Sequence, residues 1–183
     1  MLVLGLDIST SITGYCLINT EVPQRHRLVK ADGIIISHIK DTYTKSLAIR
    51  NEFNNIANEF KPDKIVIEEN LQAFRRGLSS AKTLSTLARF NGIVSFLAQD
   101  IFQIPVEMVN VNSARAKVGL KIDRKSEEPI KEQILEWVKS QEEFSQFVWP
   151  TKTLKSGPRK GLTIPAPQCF DIADAAVVCL SGM

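Results

Sequence analysis

The sequence predicts an α/β fold, a mixed five-stranded sheet flanked by helices, and three observations lead to it. Short apolar runs of strand length, Leu2 to Leu6 and Ile65-Val66-Ile67 the clearest, alternate with longer segments whose apolar residues follow helical spacing. The order reads as three strands, a helix, a strand, a long helix, a fifth strand and then helices, which suits a sheet covered by helices. With 183 residues, 44% hydrophobic and 23% charged, the chain is large enough for one full core. Residues 1–183 are therefore expected to form a single domain.

Leu2 to Asp7 reads as the first strand and Tyr15 to Ile18 as the second, with Ser9 to Gly14 as a polar turn making a hairpin. Gly33 to Ser37 reads as the third strand. Leu47, Ile49, Phe53, Ile56 and Phe60 place a helix over Thr42 to Phe60, stopped by Lys61-Pro62-Asp63. The β-branched run before Glu68 is a buried strand, Lys64 to Glu68. A long helix is expected from about Leu78 to Phe102, with Ser79 or Ser80 as its cap. Its apolar residues cover more than one stripe, so it needs a partner on two sides, and a second copy of the chain is one such partner. Pro105 to Val111 is the fifth strand, Asn112 to Lys117 a short helix, and Pro129 to Lys139 a longer one. Between Phe144 and Cys169 the prolines and glycines forbid a long regular element. Asp171 to Leu180 is the closing helix.

Composition narrows the function. A net charge of +3 permits nucleic-acid binding without demanding it. Cys16, Cys169 and Cys179 lack metal-ligand spacing, and their odd number speaks against a disulfide framework. No apolar run reaches the length of a membrane span, and no basic lead precedes the first apolar run. The expected location is cytoplasmic, with no membrane partner.

The acids carry the chemistry. Asp7 and Glu68 each end an apolar strand, and the two strands should be neighbours. Asp171 and Asp174 lie three apart, on one face of the last helix, and Asp174 is set among Ala173, Ala175, Ala176 and Val177, where an unpaired charge is costly. Singly, each has an ordinary explanation as a turn, a loop residue or a helix cap. Together they suit hard divalent ions, Mg²⁺ or Mn²⁺, and two such ions serve phosphodiester hydrolysis. Positive charge for a nucleic-acid backbone is available from Arg75, Arg76, Lys82, Arg115, Lys117, Lys152, Lys155, Arg159 and Lys160.

The stretches Gly5-Leu6-Asp7-Ile8-Ser9-Thr10-Ser11-Ile12-Thr13-Gly14-Tyr15, Val66-Ile67-Glu68-Glu69 and Asp171-Ile172-Ala173-Asp174-Ala175 resemble RuvC-type Holliday-junction resolvases, members of the RNase H-like superfamily. The resemblance covers nearly the whole chain. It implies an RNase H-like domain with Asp7, Glu68, Asp171 and Asp174 as catalytic metal ligands for two Mg²⁺ ions. Lys131 is implied as an active-site lysine, with Lys125 as a competing alignment. It further implies a homodimer through the 78–102 helix, acting on branched DNA, the four-way junction, by paired symmetric nicks. Leu71 stands where the family often has an aromatic residue, with Phe74 nearby, and the 144–169 segment is longer than in the typical bacterial member.

Two other readings compete. A different RNase H-like nuclease, cutting RNA–DNA hybrids or branched DNA generally, would use the same acids. A nucleotide-binding domain of the actin and sugar-kinase type shares a Gly-Leu-Asp-Ile-Ser-Thr-Ser-like phosphate hairpin but requires a second, similar half, which this chain is too short to contain.

Overall fold

The computed structural model describes residues 1–69 and 81–183. The main sheet has five strands: β1 Leu2–Asp7, β2 Ile12–Asn19, β3 Leu28–Ile35, β4 Lys64–Glu68 and β5 Val106–Val109. Their order is β3-β2-β1-β4-β5, antiparallel across β3, β2 and β1 and parallel across β1, β4 and β5. The helices are α1 Thr42–Glu59, α2 Ala81–Phe102, α3 Val111–Lys117, α4 Ile130–Lys139 and α5 Gln168–Ser181. A small hairpin, β6 Thr151–Thr153 and β7 Thr163–Pro165, precedes α5. The expected mixed five-stranded sheet flanked by helices is the one observed.

Strand alternation divides the core in two. Leu4, Leu6, Leu17, Ile65 and Ile67 point to one face and pack with Ile49, Phe53, Phe90 and Val94 from α1 and α2. Val3, Cys16, Ile18 and Val66 point to the other face, against Ala173, Ala176 and Val177 of α5 and Ile134, Leu135 and Val138 of α4. All three cysteines are buried; Cys16 and Cys179 lie in the apolar strand and helix patterns of the sequence, whereas Cys169 does not.

Helix α5 lies against β1, β2, β3 and β4, and glycine makes the approach possible. A Cβ on Gly14 would sit 2.0 Å from the Asp171 carbonyl oxygen, and one on Gly5 would sit 2.5 Å from the Cys179 Cβ. These obstacles are largely backbone, which a side-chain rotation cannot clear. Gly14→Ala is therefore expected to destabilise the protein by about 3 kcal/mol. The check is a lowered urea midpoint with an unchanged slope.

Several boundaries differ from those expected. Strand β2 begins at Ile12 rather than Tyr15, because β1 and β3 both pair with it and bury even Thr13. Strand β3 starts at Leu28 and ends at Ile35, whereas Gly33 to Ser37 was expected; as an edge strand of mixed burial it carries no continuous apolar run. Helix α5 starts three residues early, at Gln168, which places Asp171 in its first turn. The 144–169 segment, expected to lack long elements, holds only the short β6–β7 pair and the end of a 3-10 turn before α5. Ser79 and Ser80, the proposed caps of the long helix, lie outside the described residues, as do Leu71 and Phe74.

Candidate active site

Pairing and alternation bring the acids together. Leu6 pairs with Ile67 across the parallel β1–β4 ladder, so the next residue on each strand, Asp7 and Glu68, ends its strand beside the other. Alternation places Asp7 with Val3 and Gly5, and Glu68 with Val66, on the face covered by α5. That face receives Asp171 and Asp174, one helical turn apart on α5. Glu69, one residue further, has the opposite parity, which leaves Glu68 as the strand-end acid of the cluster.

The electrostatics follow from this placement. Burial pushes the Asp7 carboxyl well above its ordinary value, and Glu68, Asp174 and Asp171 push it further, with Lys131 opposing. Glu68 is raised to about 7, first by burial and then by Asp174, with Arg115 opposing. Asp171 is raised to about 6 by burial, against the pull of Lys131. Asp174 is raised by burial, with Arg115 and then Lys131 opposing. Four carboxylates thus share one low-dielectric corner, and two protein cations offset their charge only in part.

Hard oxygen donors with uncompensated negative charge fit Mg²⁺ or Mn²⁺ in kind and in charge. As the side chains stand, no three His, Cys, Asp or Glu among the described residues are grouped to hold an ion. Asp174 is engaged elsewhere: its Oδ1 lies 3.6 Å from Arg115 Nη2, a charge contact rather than a hydrogen bond.

Beside the acids opens a cleft of about 610 Å³, lined by Asp7, Asp171 and Asp174. The β1–β2 turn contributes Ser9, Ser11 and Ile12; α4 contributes Lys131 and Glu132; the β6–β7 hairpin contributes Lys152 and Arg159. The turn is shaped by Ser9 Oγ, which accepts from the Ile12 amide at 3.1 Å and donates to the Ile12 carbonyl at 2.7 Å. Lys125 is not among the residues lining the cleft, so geometry favours Lys131 of the two competing lysines.

The basic residues separate into groups. Lys152 and Arg159 face the cleft, whereas Lys155 and Lys160 are exposed on the same hairpin without lining it. Lys82 is exposed near the start of α2, away from the cleft lining. Lys117 donates to the Ser181 carbonyl at the end of α5, a helix-capping contact. Arg115 is turned into the acid cluster. Arg75 and Arg76 lie outside the described residues. Sequence reasoning missed Ser9, Ser11 and Glu132 as cleft residues, and it placed Arg115 among the nucleic-acid contacts rather than against Asp174. Nothing in local spacing links Arg115 to an acid 59 positions away.

No protein-family model matches the sequence. No curated protein matches it significantly. Solved structures do match. RuvC of Thermus thermophilus superposes with a TM-score of 0.62 at 17% identity, covering 99% of this chain and 92% of that one. The T. thermophilus RuvC in complex with Holliday junction substrate gives a TM-score of 0.60 at 15% identity, covering 99% and 91%. The yeast mitochondrial Holliday junction resolvase Ydc2 gives 0.54 at 15% identity, covering 98% of this chain and 76% of that one. At such identities the likeness is one of fold, and over almost its whole length this chain has the RNase H-like fold of the RuvC-type Holliday-junction resolvases.

Proposed function

We propose that this chain is an Mg²⁺-dependent endonuclease that resolves four-way DNA junctions by paired symmetric nicks, acting as a homodimer. One observation carries the reading: Asp7, Glu68, Asp171 and Asp174, from three distant segments, converge beside a cleft rimmed by Lys131, Lys152 and Arg159. The fold shared with junction resolvases supports the substrate class, and one of those structures is a junction complex.

Two Mg²⁺ ions held by the four acids would supply Lewis-acid stabilisation for phosphodiester hydrolysis. The chain's own residues do the rest. Burial of the acids strengthens their attraction for cations and excludes bulk water from around them. Lys131, exposed at the cleft mouth, offsets negative charge developing on the scissile phosphate. Lys152 and Arg159 hold neighbouring phosphates and set the strand's path across the acids. The dimer would form through α2, where Ala88, Gly92 and Phe96 make an exposed row at successive turns. Phe96 is 68% exposed, and a Cβ on Gly92 would meet open space.

The test is cleavage of a labelled four-way junction with Mg²⁺, beside linear duplex and RNA–DNA hybrid. Symmetric nicks confined to the junction support the proposal. Cutting of the hybrid alone would move the chain to the RNA-directed reading, and no cutting with either Mg²⁺ or Mn²⁺ would overturn nuclease function. A second expectation concerns the hairpin. Replacing Lys152 and Arg159 together by Ala should weaken junction binding about ten-fold at ~0.1 M salt and flatten the salt dependence by about 1–2 in log–log slope. Fluorescence anisotropy across a salt series in Ca²⁺ measures both.

A further inference from the structure

Arg115 stands out among the basic residues because the protein holds it and yet does not satisfy it. It sits on α3, and both it and Asp174 keep only about one-fifth of their side-chain surface exposed, 19% and 20%. Its Nη2 lies 3.6 Å from Asp174 Oδ1, while its Nε is buried with no hydrogen-bond partner among the described residues. A guanidinium offers five donors in a rigid fork, and among the described residues what holds this one is the long contact with Asp174 together with the nearby charge of Glu68. The contact also occupies one of the carboxylates that a divalent ion needs.

We propose that Arg115 is the resident cation of the acid cluster: it holds Asp174 when no divalent ion is present, releases it when an ion enters, and so sets the cluster's affinity for cations. This rests on the metal-dependent reading above. Two cations cannot share Asp174 without repelling each other, so ion entry is coupled to withdrawal of the guanidinium. Space exists for that withdrawal. On its other side Arg115 borders a hollow of about 230 Å³ shared with Asn112, Leu120 and Arg124. Asn112 offers an acceptor there, and the Arg124 charge opposes a permanent stay. A side chain held by charge attraction to Asp174 and Glu68, with its Nε unbonded among the described residues, can leave them for the hollow, which a fully bonded arginine cannot. Lys131, the other nearby cation, is exposed on α4 and has water as an alternative, so it competes less for Asp174.

The test measures ion binding without DNA. Mn²⁺ titrations followed by calorimetry would compare wild type, Arg115→Gln, Arg115→Lys and Asp174→Asn. Arg115→Gln is expected to bind the ion about ten-fold more tightly than wild type, since both the competing charge and its hold on Asp174 are gone. Arg115→Lys keeps the charge and should stay within about two-fold of wild type. In EDTA, Arg115→Gln should melt below wild type, and saturating Mn²⁺ should close the gap. Equal or weaker binding by a folded Arg115→Gln overturns the proposal while leaving metal dependence intact. Absence of ion binding by wild type overturns both. If Arg115→Gln does not fold, the wild-type Arg115 Nε–Hε resonance, assigned by its loss in Arg115→Lys, decides. It should move on Mg²⁺ titration, and a stationary resonance overturns the proposal.

Discussion

Asp7→Asn is expected to lower junction cleavage by at least about a thousand-fold, equivalent to about 4 kcal/mol of transition-state stabilisation, and to raise the melting temperature of the metal-free protein. The two effects have one origin. Asp7 ends β1 between Glu68 and the two α5 aspartates, and burial together with those three neighbours disfavours its charge. Asn keeps the shape and removes the charge, so repulsion in the folded state falls by about 1–2 kcal/mol. For a chain of this size each kcal/mol shifts the melting temperature by about 2–4 °C. The same substitution removes a cation ligand at the centre of the cluster, and catalysis is lost. Asp174→Asn should be as inactive but gain little stability, because it leaves Arg115 without its charge partner. Cleavage rates and thermal melts in EDTA, run on both variants, separate the outcomes. A more stable but active Asp7→Asn would remove Asp7 from the catalytic set.

Metal-free protein is expected to lose stability as pH rises through about 6 to 7, by about 2–4 kcal/mol, and divalent cation should abolish that loss. The direction follows from proton counting. Glu68 is raised to about 7 and Asp171 to about 6, so between the ordinary carboxylate range and these values the folded protein binds more protons than the unfolded chain. Unfolding then releases protons, and raising pH favours it. The contribution is fully present at low pH within this window and is lost as each acid ionises in the fold. Bound cation reverses the balance, since it prefers the ionised acids. Urea midpoints between pH 5 and 8.5, with EDTA and with Mg²⁺, check this. A midpoint that climbs from pH 5 to 8 in EDTA would show that the acids are not crowded as described. Cleavage should rise over the same pH range as the acids become free to bind metal.

Much of the fold was legible in the sequence because burial on both faces leaves a local mark. The runs ending at Asp7 and Glu68 are almost wholly apolar, and their strands have the expected bounds, Leu2–Asp7 and Lys64–Glu68. Helices α1, α3 and α4 lie within a residue or so of their expected ends. The edge strand β3 was misplaced because exposure on its open side admits Lys30 and Asp32, which dilute the pattern. The N-terminal turn of α5 was missed because Gln168, Cys169 and Phe170 follow two prolines and show no periodicity of their own.

The candidate site divides along the same line. The sequence by itself determined which acids are unusual, since a carboxylate ending a buried strand, or set among alanines on a helix, stands out against the cost of desolvating it. It also placed basic residues in the segment before α5. Only the tertiary structure decided who faces whom. Strand parity sends Asp7 and Glu68 to the face that α5 covers, and Gly5 and Gly14 let α5 approach closely enough to bring Asp171 and Asp174 there. Chain packing turns Arg115 inward on Asp174 and Lys117 onto the end of α5, while Lys152 and Arg159 are left to face the cleft. Charge type is written residue by residue, but the sign of the field at a point in space depends on contacts between segments far apart in the chain.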